Sequence, residues 1–212
     1  MYMPHEWLAA LYKEPVLFEK LLLGPSGELA KYWHNESTHP LEHSEYLADA
    51  ARTLPLVLHG DDAGVGRKTK MFVLSTHSPL PFLNSVLNFL LISILPGEMC
   101  IPGITLERLY EQTTWSFVCC AAGGFPATDL DFNDVTHRGT GELAEAWKAI
   151  CSWIEGDWKW TKEAFELNAY DTDACCANCG ADKKIRNLLY TNYGANAGWR
   201  FLWGLTFQIS NF

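Results

Sequence analysis

The stretch that decides the fold is Leu54-Pro55-Leu56-Val57-Leu58-His59-Gly60-Asp61-Asp62. Residues 54–58 are all apolar, which is typical of a short strand buried on both faces. The apolar run stops at His59, so we expect the strand to deliver polar side chains to its end. Further apolar runs at 71–75 and 86–95 predict a second and a third strand, arranged as a meander around a central first strand.

Helical patterns flank these strands. Apolar residues between positions 6 and 23 recur at helical spacing, and Pro15 is expected to begin a second helical segment there. A longer helix is predicted from an N-cap at Thr105 to the pair Gly123-Gly124. The apolar series at 143–154 also keeps helical spacing. It leaves two interpretations open, a helix throughout or a change to a strand near Cys151.

The length and composition predict one packed domain. The chain has 212 residues, of which 48% are hydrophobic and 13% aromatic, so it is too hydrophobic to be a disordered chain. We expect a single domain over residues 1–212. Residues 1–50 would form a helical N-terminal extension, and residues 168–212 a cysteine-containing C-terminal segment.

The charge and the apolar stretches restrict the partners and the location. The formal net charge is −9, and basic residues supply most of the non-specific affinity for nucleic acid. DNA is therefore a partner only if metal ions or another chain's lysines contribute, while the acidic, aromatic surface leaves a protein partner open. Seven cysteines, an odd number, favour a reducing compartment. Without a signal peptide or an apolar stretch of roughly 20 residues, we expect no membrane contact and an intracellular protein of the nucleus or cytoplasm.

Two Gly-Asp pairs that follow apolar runs form the main catalytic hypothesis. Asp61 comes after the first predicted strand, and Asp157 comes after the series at 143–154. Carboxylates at two strand ends can hold Mg²⁺ or Mn²⁺ through oxygen ligands, provided that the fold brings them together. The simpler interpretations are turn chemistry at Asp61 and, at Asp157, the N-cap of a helix predicted over 158–167.

A second hypothesis concerns zinc. Cys176 and Cys179 have the C-x₂-C spacing that forms half of a tetrahedral zinc site. Because no second pair follows, the remaining ligands would have to be Cys175, a remote histidine or residues of another chain. Buried apolar cysteines without a metal are the alternative.

Several short motifs follow one another over nearly the whole chain. They are Pro4-His5-Glu6-Trp7, His39-Pro40, Pro55-Leu56-Val57-Leu58-His59-Gly60-Asp61, Trp115-Ser116-Phe117, Gly156-Asp157-Trp158-Lys159-Trp160, Ala164-Phe165-Glu166-Leu167, Cys176-x-x-Cys179 and Ala197-Gly198-Trp199-Arg200. No single motif is specific, whereas their order and spacing together are. In this arrangement the chain resembles a much-repeated family of protist proteins that look derived from transposases. More distantly, it is similar to the catalytic region of CACTA-type DDE transposases.

This resemblance implies an α/β fold of the RNase H-like type, with a mixed sheet flanked by helices. It places Asp61 where the first metal-binding carboxylate would stand and Asp157 where the second would stand. The pair Cys176 and Cys179 resembles the zinc knuckle inserted in such enzymes.

The function implied by the resemblance is two-metal cleavage or joining of DNA phosphodiesters. Asp61 and Asp157 would hold the ions, and His59 would be a secondary polar contact. Arg67 and Lys68 follow the first aspartate closely in sequence and would meet substrate phosphate.

Two departures from the transposase pattern imply an inactive relic. No clear third metal-binding carboxylate lies on a following helix. Asp171, Asp173 and Asp182 are equal candidates for it. The end at 203–207 resembles that of a truncated or degenerated copy. The rival expectation is therefore a non-enzymatic domain, which binds protein partners or is stabilised structurally by zinc.

Overall fold

The computed structural model describes residues 2–35, 49–65, 69–80 and 88–156, together with Trp160 and Lys184. The chain divides into two compact units, Met1–Asp157 and Trp158–Phe212. The elements described below all belong to the first unit. The predicted helix at 158–167 lies outside the described residues, apart from Trp160.

In its described residues, the first unit has short N-terminal helices, a four-stranded sheet and a long helix. The helices are α1 (Pro4–Tyr12), α2 (Pro15–Phe18) with a π-helical turn (Glu19–Leu23), α3 (Glu28–Asn35) and α4 (Thr105–Ala122). The strands are β1 (Thr53–Val65), β2 (Thr69–His77), β3 (Leu90–Pro96) and β4 (Lys148–Gly156). Within the described ranges, no helix has both the length and the apolar character needed to cross a bilayer.

The sheet is mixed and has the strand order β3-β2-β1-β4. The first three strands form an antiparallel meander, and β4 returns through α4 to pair in parallel with β1. Strand β1 is therefore central, as the apolar run at 54–58 predicts. The fold class is confirmed as α/β, with a mixed sheet flanked by helices.

The prediction that the first strand ends at His59 is wrong. Strand β1 continues through the polar residues to Val65, where it pairs with Thr69 of β2. Because backbone hydrogen bonds to β2 satisfy this part of the strand, its side chains need not be apolar. Asp61 consequently lies within the strand instead of at its end.

Two other predicted boundaries shift by a few residues. Strand β3 begins at Leu90 instead of at position 86. The N-cap of α4 is Ile104, and Thr105 is already helical. The Thr105 hydroxyl still acts locally, because its Oγ1 accepts the Ile101 backbone N–H at 2.9 Å. The predicted end of this helix is confirmed, since Gly123 adopts a left-handed φ of 78°.

The helical interpretation of residues 143–154 is wrong, and the strand begins earlier than Cys151. Strand β4 starts at Lys148, which is paired with Thr53, and ends at Gly156. The helical spacing of the apolar residues predicted the wrong element. The hydrogen bonds that make this segment a strand come from parallel pairing with β1, which local periodicity does not reveal.

One face of the sheet packs against α4. Phe72 of β2 meets Tyr110 of α4 with ring centroids 6.3 Å apart, and Cys120 of α4 is fully buried. Leu54 and Leu74 have no exposed surface and form the centre of this core. Burial of such side chains is the main source of folding free energy.

We predict that Leu74→Ala lowers the free energy of unfolding by about 2–5 kcal/mol, because it leaves a cavity in a closed core. Leu91→Ala is the matched control on the neighbouring strand, since Leu91 is 42% exposed. Urea denaturation followed by circular dichroism measures both variants. Equal losses for the two leucines would contradict this description of the core.

Helix α1 is fixed by the four residues of the motif Pro4-His5-Glu6-Trp7. Pro4 lies in the first turn of the helix, where a backbone N–H has no acceptor within the helix, so that proline removes no hydrogen bond. Glu6 accepts the Met3 backbone N–H at 2.8 Å and pairs with Arg138 at 2.9 Å. Trp7 donates its indole N–H to the carbonyl of Leu91 at 2.9 Å. These contacts give the motif a structural role, the attachment of α1 to β3 and to the segment before β4.

His5 attaches α1 to α4 inside the core. Ser116 Oγ lies 2.7 Å from His5 Nδ1 and accepts the His5 backbone N–H at 3.0 Å. The imidazole packs edge-on against Trp115 with centroids 5.3 Å apart. Burial lowers the pKa of His5 from 6.5 to about 4, so the buried ring is neutral at neutral pH.

We predict that acid weakens the fold through His5. The unfolded chain takes up this proton below pH 6.5, whereas the folded chain does so only near pH 4. Stability therefore falls as the pH drops through this window, by about 2 kcal/mol at pH 5 from this residue. Urea denaturation at pH 7 and pH 5 measures the loss, which should be smaller by that amount in His5→Asn. Identical losses in the two proteins would show that His5 is not the cause.

Candidate functional site

Asp61 is an exposed residue of the central strand. Its neighbour Gly60 is buried and pairs with Leu74 of β2 on one side and with Gly156 of β4 on the other. On β2, Asp61 itself is opposite Val73. The strand thus holds the Asp61 carboxylate at a defined position of the sheet instead of on a loose turn.

The parallel register brings together the glycines of the two Gly-Asp pairs. Gly60 is the Cα partner of Gly156, and each glycine directly precedes one of the two predicted metal-binding aspartates. Asp157 itself lies outside the described residues. The convergence of the two carboxylates therefore stays a prediction.

Asp62 differs from Asp61 although the two are adjacent in sequence. Successive side chains of a strand point to opposite faces, and Asp62 is the partner of Phe72, which packs against α4. Asp61 therefore belongs to the sheet face that α4 does not cover.

His59 lies on the same face as Asp61, two residues earlier along β1. It is half-buried and is opposite Ser75 of β2 and Glu155 of β4. Its ring packs against Phe89, with centroids 5.1 Å apart. This position is compatible with the predicted secondary polar contact beside Asp61.

The sequence prediction missed His77 and Glu155, which lie beside His59. His77 Nε2 is 3.8 Å from Glu155 Oε2, and its Nδ1 is buried with no hydrogen-bond partner among the residues that the structure describes. Burial lowers the pKa of His77 below its usual 6.5, although nearby Glu155 acts in the opposite direction. Glu155 precedes a Gly-Asp pair, which could have drawn attention to it. No motif marks His77.

Several predicted site residues lie outside the described part of the chain. They are Arg67, Lys68, Asp157, Asp171, Asp173, Cys175, Cys176, Cys179 and Asp182. Within the ranges given above, no group of three or more histidine, cysteine, aspartate or glutamate side chains is placed to hold a metal ion. A complete metal site would therefore have to include residues beyond those ranges.

Three cysteines of the first unit, Cys119, Cys120 and Cys151, are poor candidates for metal binding. Burial raises the pKa of Cys119 and of Cys151 to about 11, and raises that of Cys120 as well. These groups are thiols at neutral pH, whereas metals and electrophiles react with the thiolate. Their role is to fill space between α4 and β4.

A cleft of about 310 Å³ lies at the other end of the sheet from Asp61. It is lined by Thr53 and Lys148 at the starts of β1 and β4, by Gly123 after α4, and by charged residues of both signs. Lys148 also lies against the end of α4, where its Cγ is 3.5 Å from the position that a Gly123 Cβ would take. A cation there offsets the negative end of the helix dipole, which gives Lys148 a structural role.

Comparisons of the sequence with protein-family models and with curated proteins, and of the structure with solved structures, give no match.

We predict that Mn²⁺ raises the melting temperature of the wild-type protein and that Asp61→Asn abolishes this rise, because one ligand carboxylate is lost. Asp62→Asn, which changes the adjacent carboxylate on the opposite face, should keep it. Thermal denaturation with and without MnCl₂ measures the effect. An undiminished rise in Asp61→Asn would remove Asp61 from the site.

Proposed function

We propose that this chain is a transposase-derived, RNase H-like domain and that, despite the two departures from the transposase pattern, it cleaves or joins DNA phosphodiesters with Mg²⁺ or Mn²⁺. The observation that carries the proposal is the pairing of Gly60 with Gly156 on adjacent parallel strands. This register supports the convergence of Asp61 and Asp157, on which two-metal chemistry depends.

The strand order also supports the proposal. An antiparallel meander, a helical crossover and a fourth strand parallel to the first agree with the layout that the resemblance to DDE transposases implies. Fold alone does not establish function, so the proposal depends on the residues at the site.

The chemistry of the donors fits a hard divalent cation. Asp61 is an exposed carboxylate on a rigid strand, and oxygen ligands are the ones that Mg²⁺ and Mn²⁺ prefer. Asp61 and Asp157 would hold the ions. Bound there, the ions would supply activation of water or of a 3′-hydroxyl for attack on phosphorus.

The residues around Asp61 would orient the substrate. Gly60 has no side chain, so a phosphate can approach the backbone closely at this point. His59 offers a ring nitrogen on the same face, and Arg67 and Lys68 would contact phosphate. The third carboxylate is proposed among Asp171, Asp173 and Asp182.

A specific observation favours a second candidate function, the binding of a protein partner. Met99, Ile101 and Ile104 are all exposed in the short connection between β3 and α4. Together with the net charge of −9, these apolar side chains fit an intracellular interaction domain without catalytic activity.

We predict that the purified protein nicks or cleaves plasmid DNA in the presence of MgCl₂ and that EDTA stops this reaction. Asp61→Asn should lower the rate at least a hundredfold because it removes a metal ligand, while Asp62→Asn should stay within about threefold of the wild type. Agarose gel electrophoresis of supercoiled plasmid measures the rates. Full activity of Asp61→Asn would contradict the nuclease proposal, and a wild type without activity would favour the interaction domain.

A further inference from the structure

The segment between α4 and β4 carries Phe132 at the tip of a short loop, residues 129–134, which we call the Phe132 loop. Phe132 is 87% exposed, the largest exposed fraction among the large hydrophobic residues that the structure describes. Its neighbours Asp131 and Asn133 are exposed as well. The ring therefore contributes little to the core of its own chain.

The backbone at Phe132 is strained. Its φ is 62°, in the left-handed region, where glycine and asparagine fit readily and a bulky side chain does not. Burial does not offset this strain, because the ring lies in solvent. Strained residues of this kind are concentrated at binding and catalytic sites, which indicates a contact made outside the chain's own fold.

Hydrogen bonds hold the Phe132 loop in one shape. The Asp129 carboxylate accepts the backbone N–H groups of Asp131 and Asn133, both at 2.9 Å. Phe132 donates its backbone N–H to the Asp129 carbonyl at 3.1 Å, and Arg108 of α4 forms an ion pair with Asp131. An aromatic ring on a rigid loop loses little conformational entropy when it binds.

An open cavity of about 110 Å³ lies beside the Phe132 loop. Its lining includes Met3, Gln112, Trp115, Leu130 and Val135. Asp129 and Asp131 line its loop side, and their carboxylates are already bound within the loop and to α4. A cavity of about 150 Å³ holds a benzene molecule, so this one has the right size for a phenyl ring. The chain's own Phe132 does not fill it, because that ring is almost wholly in solvent.

We infer that two copies of this chain associate about a two-fold axis, with Phe132 of each copy inserted into the cavity of the other. Because the loop and the cavity are neighbours on one molecule, a single axis inserts both rings at once, as in an isologous dimer. Aromatic residues that fill pockets supply most of the binding free energy of such interfaces. This inference goes beyond the proposed nuclease function and does not depend on it.

Charge complementarity favours a second copy as the occupant of the cavity. The Phe132 loop carries Asp131 and Asp134, whereas Arg138 lines the cavity and is held by Glu6 at 2.9 Å. Insertion of each ring brings an acidic loop toward an arginine of the other copy, and the two-fold axis makes this attraction twice. It offsets part of the repulsion between two chains that each carry a net charge of −9.

Sedimentation equilibrium of the purified full chain, at concentrations up to about 100 μM, measures the Kd of the dimer. Phe132→Ala should raise this Kd at least tenfold, because the inserted ring is lost. Gln112→Trp should raise it by a similar factor, because the larger side chain occupies the cavity. Trp153→Ala is the matched control, since Trp153 is an aromatic residue of β4 that is 54% exposed and does not line the cavity. It should leave the Kd unchanged.

A mixture of the two variants tests the reciprocal insertion. Neither Phe132→Ala nor Gln112→Trp can insert a ring into a second copy of itself. A mixed pair can make one of the two contacts, with Phe132 of the Gln112→Trp copy in the open cavity of the Phe132→Ala copy. Fluorescence anisotropy with one labelled variant should therefore show association at least about threefold tighter in the mixture than in either variant alone.

Three results would overturn the inference. They are a wild type that stays monomeric over the whole concentration range, a Kd for Phe132→Ala or Gln112→Trp equal to that of the wild type, and a mixture that associates no better than its components. Circular dichroism melting verifies that each variant is folded. Since Phe132 is exposed on a loop, Phe132→Ala tests the dimer even if Gln112→Trp does not fold.

Discussion

The parallel pairing of β4 with β1 is the constraint on which the candidate site depends. It sets Gly60 beside Gly156 and Glu155 beside His59, although 96 residues separate the members of each pair along the chain. Parallel strands need a long crossover, which α4 supplies between β3 and β4. The packing of α4 on the sheet therefore determines where polar residues of β1 and β4, such as His59 and Glu155, meet.

The meander was predictable because its strands are short apolar runs that need no partner to be recognised. Strand β4 could not be predicted in the same way. The apolar series at 143–154 fits a helical period as well as a strand, and only pairing with β1 decides between them. The position of Asp61 was predicted in part. The prediction assigned it to the first strand correctly, but it placed Asp61 at the strand's end, whereas backbone pairing with β2 extends β1 to Val65. His77 and Phe89 could not be found because they reach His59 through tertiary contacts without a local motif.

The N-terminal motif Pro4-His5-Glu6-Trp7 attaches helix α1 to the rest of the first unit. His5, Glu6 and Trp7 each contact a different part of the first unit, namely α4, Arg138 and β3. A helix of nine residues is too short to be stable alone, so these contacts hold it in place. These structural contacts are sufficient to account for the motif, without a catalytic role for it.

The pairing of β4 with β1 shifts register between Leu56 and Val57, and the extra residue is Ser152. Its hydroxyl donates to the Leu56 carbonyl at 3.3 Å and accepts from Tyr32 at 3.0 Å. A bulge of this kind reverses the phase of a strand. If Ser152 were paired regularly with Val57 instead, Trp153 and Glu155 would change to the face that α4 covers and Ile154 would change to the face of Asp61, so this one bulge determines which side chains β4 presents beside Asp61.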